Sequence, residues 1–286
     1  MDLYISDFQI IKLLDQSIVV SEKGVALIHS PQLLQALYKL RALTSAPQAK
    51  TDIYTILEEY GLDANEAFEF LERVLKLRKT TLNLYFKQII IAHDWSSDFE
   101  KTLTAELPIT FETHPINEQL IENIATPHAF LMIITKHYNH QKLKTIYFEI
   151  ANTFPQSAIC MALRVGDYFY VSQPYLSEAG TPCHFCNFDK TAYTEQVRPT
   201  PGNWSRLLNF CTDNNLPIPE QPLTPLQTAL ATGLLLETIK QWVCADYGRR
   251  TQDCMMLASY IHLSSGQITE EHVSHWSMCD CLGLPS

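Results

Sequence analysis

Gln88-Ile89-Ile90-Ile91-Ala92 is a short, unbroken apolar run. A strand of this kind has no polar side, so both of its faces must be covered. The pattern recurs downstream. Phe130-Leu131-Met132-Ile133-Ile134 has the same character, and residues 157–163 and 167–171 follow it. Helical segments stand between these strands, at residues 97–107, near 117–124 and near 141–152. Another extended segment, Ile109-Thr110-Phe111-Glu112-Thr113, separates the first two helices. Unbroken apolar strands alternating with helices predict a parallel sheet buried on both faces, an α/β fold of doubly wound type. Further on, Thr224-Pro225 starts a long helix that runs through Trp242. Residues 255–263, the turn Ser264-Ser265-Gly266 and residues 268–276 predict a hairpin.

Upstream of about residue 87 the pattern is different. Phe8-Gln9-Ile10-Ile11 and Ser17-Ile18-Val19-Val20 are β-branched runs, and Ser21-Glu22-Lys23-Gly24 is a turn leading into Val25-Ala26-Leu27-Ile28. Ser30 and Pro31 open a helix with Leu33, Leu34, Leu37 and Leu40 at helical spacing, which Ala46-Pro47 ends. Asp52 opens a second helix with Ile53, Ile56 and Leu57, stopped by Gly61. Asp63 opens a third, with Ala67, Phe68, Leu71, Val74 and Leu75 on one stripe and a span from Asn65 to Leu77 or Arg78. A three-stranded meander followed by three helices predicts a winged-helix-like α+β domain over residues 1–87, ahead of a second domain over residues 88–286.

A winged helix binds DNA or an extended peptide. DNA is disfavoured because Glu66, Glu69 and Glu72 accompany Arg73, Lys76 and Arg78 on the third helix. For a peptide, Val25, Ala26, Leu27 and Ile28 form a candidate edge strand, and Phe68 and Leu71 a candidate pocket floor. The competing reading of each is that it faces the small domain's own core.

The whole chain points the same way. Its 286 residues carry a net charge of −10, which disfavours nucleic acid and anionic membranes as partners. No apolar run reaches the roughly 20 residues that span a bilayer. Met1-Asp2-Leu3-Tyr4 opens no basic-then-apolar secretion signal, and eight cysteines in such a chain suit a reducing, cytoplasmic setting. The nine glycines stand at 24, 61, 166, 180, 202, 233, 248, 266 and 283. No two are two residues apart, so the dinucleotide turn G-x-G-x-x-G is impossible. The P-loop G-x-x-x-x-G-K-[ST] is missing too, and the first strand runs into Ala92-His93-Asp94-Trp95, where bulk and an acid would meet a phosphate. The expectation is a nucleotide-binding fold without a nucleotide site. No catalytic residue is assigned, since G-x-S-x-G and H-E-x-x-H are also missing.

Two cysteine pairs carry the clearest chemistry. Cys183-His184-Phe185-Cys186 and Cys279-Asp280-Cys281 lie about ninety residues apart. Two thiolates grip one side of a metal, and four close a tetrahedron. Zn²⁺ suits an all-sulfur site that leaves no open position, so the expected role is structural. Four buried thiols are the alternative. Core cysteines, however, scatter through elements, as Cys160, Cys211, Cys244 and Cys254 do. Pro182-Cys183-His184-Phe185-Cys186 fits half of the zinc-deaminase signature, but none of His93, His114, His128, His137 and His140 has Glu two residues on. A redox C-x-x-C would stand alone, whereas here a second pair is at hand. His272 and His275 are read as strand-surface or packing residues.

Gly180-Thr181-Pro182-Cys183-His184-Phe185-Cys186 and His275-Trp276-Ser277-Met278-Cys279-Asp280-Cys281-Leu282 closely resemble the matching segments of the McbB family, zinc-binding components of microcin-type thiazole/oxazole synthetases. The resemblance implies a bacterial, cytoplasmic, non-catalytic subunit. Its first domain would bind the leader of a ribosomally made precursor peptide as an added strand. Its second would be a degenerate ubiquitin-activating-like domain that keeps a tetrathiolate zinc at Cys183, Cys186, Cys279 and Cys281 and binds neither ATP nor FMN. A YcaO-type cyclodehydratase using ATP and an FMN-dependent dehydrogenase would do the chemistry. By the same resemblance the subunit would be a homodimer within the hetero-oligomer. The alternative is an adenylating enzyme of the ubiquitin-activating type with an atypical phosphate loop.

Overall fold

The computed structural model describes residues 2–13, 16–44, 48–75, 77–79, 85–107, 109–197, 204–220, 222–244 and 254–283. It divides into two compact units, Met1–Thr81 and Leu82–Ser286.

The first unit contains β1 (Asp2–Ile5), β2 (Gln9–Leu13), β3 (Gln16–Ser21), β4 (Gly24–Ile28), α1 (Pro31–Arg41), β5 (Gln48–Ala49), α2 (Lys50–Glu59), α3 (Ala64–Val74) and β6 (Leu77–Lys79). The antiparallel meander β2-β3-β4 leaves β4 paired on one side only among the described residues. It turns at Gly24, whose φ of +128° is open to glycine and strained for other residues. Ser30 Oγ accepts from Leu33 N, and Asp63 accepts from the amides of Asn65 and Glu66, so both helices start where their caps predict. The second sheet, β5-β1-β6, is not foreseen by the sequence reading. Residues expected to continue the third helix form β6 instead, because Leu75 turns extended and Leu77–Lys79 pairs with β1. The Ala46-Pro47 helix stop lies outside the described residues; α1 ends at Arg41. One core, including Leu3, Val19, Ile28, Leu37, Leu57, Phe68 and Leu71, fills the unit.

The second unit contains β7 (Gln88–His93), α4 (Ser97–Glu106), β8 (Glu112–His114), a 3₁₀ turn at Glu118–Asn123, β9 (Ala129–Thr135), α5 (His140–Thr153), β10 (Ala158–Val165), β11 (Tyr168–Val171), α6 (His184–Val197), α7 (Trp204–Asp213), α8 (Pro225–Val243), β12 (Leu257–His262) and β13 (Ile268–His272). Among the described residues its strands are ordered β13-β12-β11-β10-β9-β7-β8. β8, β7, β9 and β10 run parallel, whereas β11, β12 and β13 join antiparallel. The sheet is therefore mixed, which corrects the all-parallel expectation. The cause is local: two turn residues, Gly166 (φ +56°) and Asp167, link β10 to β11, and so short a link can only reverse the chain. The segment near 117–124 is a 3₁₀ turn rather than an α-helix.

Burial on both faces holds as expected. Ile90, Leu131, Ile133, Ile159 and Met161 meet Leu143, Tyr147 and Ile150 of α5, Phe185 of α6 and Leu208 of α7. Ile89, Ile91, Phe130, Met132 and Ile134 meet Phe99 and Leu103 of α4 and Leu235, Ile239 and Trp242 of α8. The α8 start is a capping box between Thr224 and Gln227 with Pro225 in the first turn. Among the described residues, no helix is long and apolar enough to cross a membrane.

Candidate metal centre and peptide edge

The approach to Cys183 is held by backbone-directed hydrogen bonds. Gly180 turns the chain at φ +62°. Thr181 Oγ1 donates to Pro174 O (3.2 Å) and accepts from Leu176 N (2.8 Å). The Gln173 amide donates to the carbonyls of Pro182 and Cys183, each at 2.9 Å. This places Cys183 and Cys186 at the start of α6, both fully buried. From the other end of the unit, β13 leads to Cys279 and Cys281, beside the 3₁₀ turn Asp280–Leu282 that Gly283 ends.

The four sulfurs lie within 4.8 Å of one another. Cys183 Sγ is 3.3 Å from Cys279 Sγ and 3.8 Å from Cys186 Sγ, and Cys186 Sγ is 3.4 Å from Cys281 Sγ. Four sulfurs around Zn²⁺ at bonds of about 2.3 Å stand about 3.8 Å apart, so the observed cluster has the size and the donor set of such a site. The thiols are strongly interdependent. Burial pushes the Cys183 thiol up, whereas hydrogen bonds from neighbouring thiols pull Cys186 down and Cys281 down to about 6. Four thiolates packed this closely repel one another, and a bound cation is the direct remedy.

His275 is not on strand surface: β13 stops at His272, which is exposed, and the His275 ring lies beside the cluster. Its Nε2 donates to Gly180 O at 2.9 Å, and its Nδ1 is 3.6 Å from Cys281 Sγ and 3.8 Å from Cys186 Sγ. Burial lowers its pKa, but the Gly180 carbonyl and both thiols raise it more, and the net direction is upward. Of the two readings the sequence offered, strand surface or packing, His275 takes the second: it is half-buried and packed beside the cluster. The long-range partner Lys144 had no sequence signal. Its Nζ is 2.9 Å from Asp280 and 3.6 Å from Asp189, which also accepts from His140 Nε2 at 2.8 Å. His184, between the first two cysteines, is fully buried, and desolvation holds its pKa at about 3. Its Nε2 pairs with Tyr138 OH at 3.1 Å.

In the first unit the proposed peptide residues separate into two groups. Val25 is 66 % exposed and Leu27 37 %, with Ala26 half-buried, so β4 offers both an open edge and apolar side chains. Ile28, Phe68 and Leu71 are buried in the unit's own core, because the apolar stripe of α3 faces inward. The Ser21 hydroxyl donates to Val74 O and Lys23 Nζ to Glu72 O, tying the β3–β4 turn to the end of α3.

The profile of a family described as "Microcin B17-processing protein McbB" matches residues 3–283. The chain belongs to the McbB family. Microcin B17-processing protein McbB of Escherichia coli is 22 % identical over 233 residues, covering 79 % of this chain and 78 % of that protein. A chain of the E. coli microcin synthetase McbBCD complex with pro-MccB17 bound aligns over 99 % of this chain and 100 % of its own length, with a TM-score of 0.77 and 18 % identity. A chain of another structure of the E. coli microcin synthetase McbBCD complex aligns over 97 % of this chain and 99 % of its own length, at TM-score 0.53 and 18 % identity. At such identities the structural likeness speaks for a shared fold, and family membership rests on the profile.

Proposed function

We propose that this chain is a non-catalytic, leader-binding scaffold subunit of a bacterial, cytoplasmic thiazole/oxazole synthetase. Family membership over nearly the whole chain is the observation that carries the reading. The first unit is the precursor-peptide recognition domain. A leader strand adds to β4 through backbone hydrogen bonds, and Val25 and Leu27 supply apolar contacts. Phe68 and Leu71 contribute from beneath, by holding α3 against the edge strand. The second unit is a ubiquitin-activating-like domain that has lost its nucleotide site. Cys183, Cys186, Cys279 and Cys281 hold one structural Zn²⁺, which supplies no chemistry to substrate and fixes the C-terminal segment.

In this reading heterocycles form elsewhere in the assembly, on an ATP-using YcaO-type cyclodehydratase and an FMN-dependent dehydrogenase. The scaffold raises the local concentration of the core peptide at both, and it assembles as a homodimer within the complex. The experiment is reconstitution with those two enzymes and the precursor encoded beside this gene. Omitting this chain abolishes azole formation on the full precursor, and the isolated chain shows no ATP–pyrophosphate exchange. Exchange by the isolated chain would instead mark it as an adenylating enzyme.

A further inference from the structure

The chain winds in opposite directions from the centre of its parallel sheet. β7 leads through α4 to β8 on one side, and β9 leads through α5 to β10 on the other. α4 packs on one face of the sheet and α5 on the opposite face. The switch point therefore lies between the C-terminal ends of β7 and β9, the place where open α/β sheets hold ligands. The residues there are Asp94 after β7, and Lys136 and His137 after β9.

The Asp94 carboxylate is bound at this point as an anionic ligand would be. Lys136 N donates to it at 2.7 Å and His137 N at 3.2 Å. The Thr135 hydroxyl donates at 3.0 Å, and His137 Nδ1 lies 3.0 Å away. Successive backbone amides converging on one charge make an anion cradle. A second feature adjoins it. A cavity of about 60 Å³ opens beside the cradle, lined by Trp95, Lys136, Leu163, Arg164 and Glu220. Ligand sites are several times larger, so this space suits a few waters and no nucleotide. Both cations at its wall are engaged within the chain: Lys136 lies 3.7 Å from Glu220, and Arg164 donates to Pro222 O at 3.0 Å.

We propose that Asp94 is an internal oxyanion that occupies the sheet's own anion site and closes its ligand crevice from within. The Lys136 and His137 amides, which would otherwise be free to donate to an external anion, are satisfied by the chain itself. The inference deepens the reading of this unit as non-catalytic and rests on it. It predicts that the cradle accepts a free oxyanion once the carboxylate is removed.

The test uses the full chain and inorganic phosphate, scored by thermal unfolding against chloride at equal ionic strength. Asp94→Ala is expected to lower Tm by about 10 °C, the loss of several charge-assisted hydrogen bonds in a unit this size. Millimolar phosphate should then restore most of that loss saturably, while the wild-type Tm stays flat. Asp94→Asn keeps the volume and drops the charge, so it should lose Tm and gain nothing from phosphate. An Asp94→Ala protein with unchanged Tm, or with a lowered Tm that phosphate does not move, overturns the proposal. If Asp94→Ala does not fold, Asp94→Asn decides: a wild-type Tm overturns it, and a lowered, phosphate-insensitive Tm supports it. Leader affinity measured on the same samples should not change, so a failed scaffold reading shows itself separately.

Discussion

Cys183→Ala should release the C-terminal segment while leaving the rest of the second unit folded. About ten residues, from Ser274 to Gly283, are ordered, and their apolar burial is limited to Cys279 and the half-buried Trp276 and Cys281. Ordering backbone costs about 1 kcal/mol per residue, or about 10 kcal/mol for the segment. Without a metal, the visible compensation is small. The part-exposed Lys144–Asp280 pair contributes about 1 kcal/mol or less. The His275–Gly180 hydrogen bond and the Tyr193–Trp276 ring contact, with centroids 5.2 Å apart, add about 1 kcal/mol each. These fall well short of the ordering cost. Structural zinc in a four-thiolate site is worth about 10 kcal/mol, which closes the gap. The assay is hydrogen exchange by mass spectrometry with zinc measured on the same protein. The expected result is zinc loss, fast exchange confined to residues 274–283, and a Tm about 10 °C lower. Cys211→Ala, which removes a buried thiol that is not one of the four clustered sulfurs, should keep its zinc. Slow exchange in a zinc-free Cys183→Ala tail would refute the reasoning.

Three further outcomes follow from the same geometry. Leu27→Asp should weaken leader binding at least about tenfold, because a carboxylate on the edge strand loses apolar contact and must be desolvated; zinc content should not change, and unaltered affinity in fluorescence anisotropy would remove β4 as the docking edge. His275→Ala should lower zinc affinity by about 10- to 100-fold in chelator competition, as expected for an outer partner that orients ligands; an unchanged affinity would make the ring a packing residue only. Chelator treatment of the wild-type chain should reproduce the exchange pattern of Cys183→Ala, and zinc addition should reverse it; irreversible loss of the whole second unit would show that the metal holds more than the tail.

The unbroken apolar strands were legible because burial on both faces leaves no polar position to choose. Helix starts at Ser30, Asp63 and Thr224 were legible because each cap is a local chemical choice. The four cysteines were legible because chelation needs short spacings. The antiparallel half of the sheet was not, since a two-residue link at Gly166-Asp167 outweighs the pattern on either side. β1, β5 and β6 are short, and they draw their hydrogen bonds from distant segments, so periodicity does not reveal them. α6 was hidden because its interior face is built from Phe185, Cys186 and Phe188 around a buried His184, with Cys183 just ahead of the helix, rather than from an aliphatic stripe. Phe68 and Leu71 show the limit for binding sites: an inward stripe and a pocket floor have the same spacing, and only the fold separates them.

The most direct test of the account is one titration. A fluorescently labelled leader from the precursor encoded beside this gene is titrated with the purified chain, and zinc is quantified on the same sample. The account predicts saturable binding with about one zinc per chain, lost on Leu27→Asp. A chain carrying zinc that binds no leader, alone or with its partner enzymes present, would contradict it.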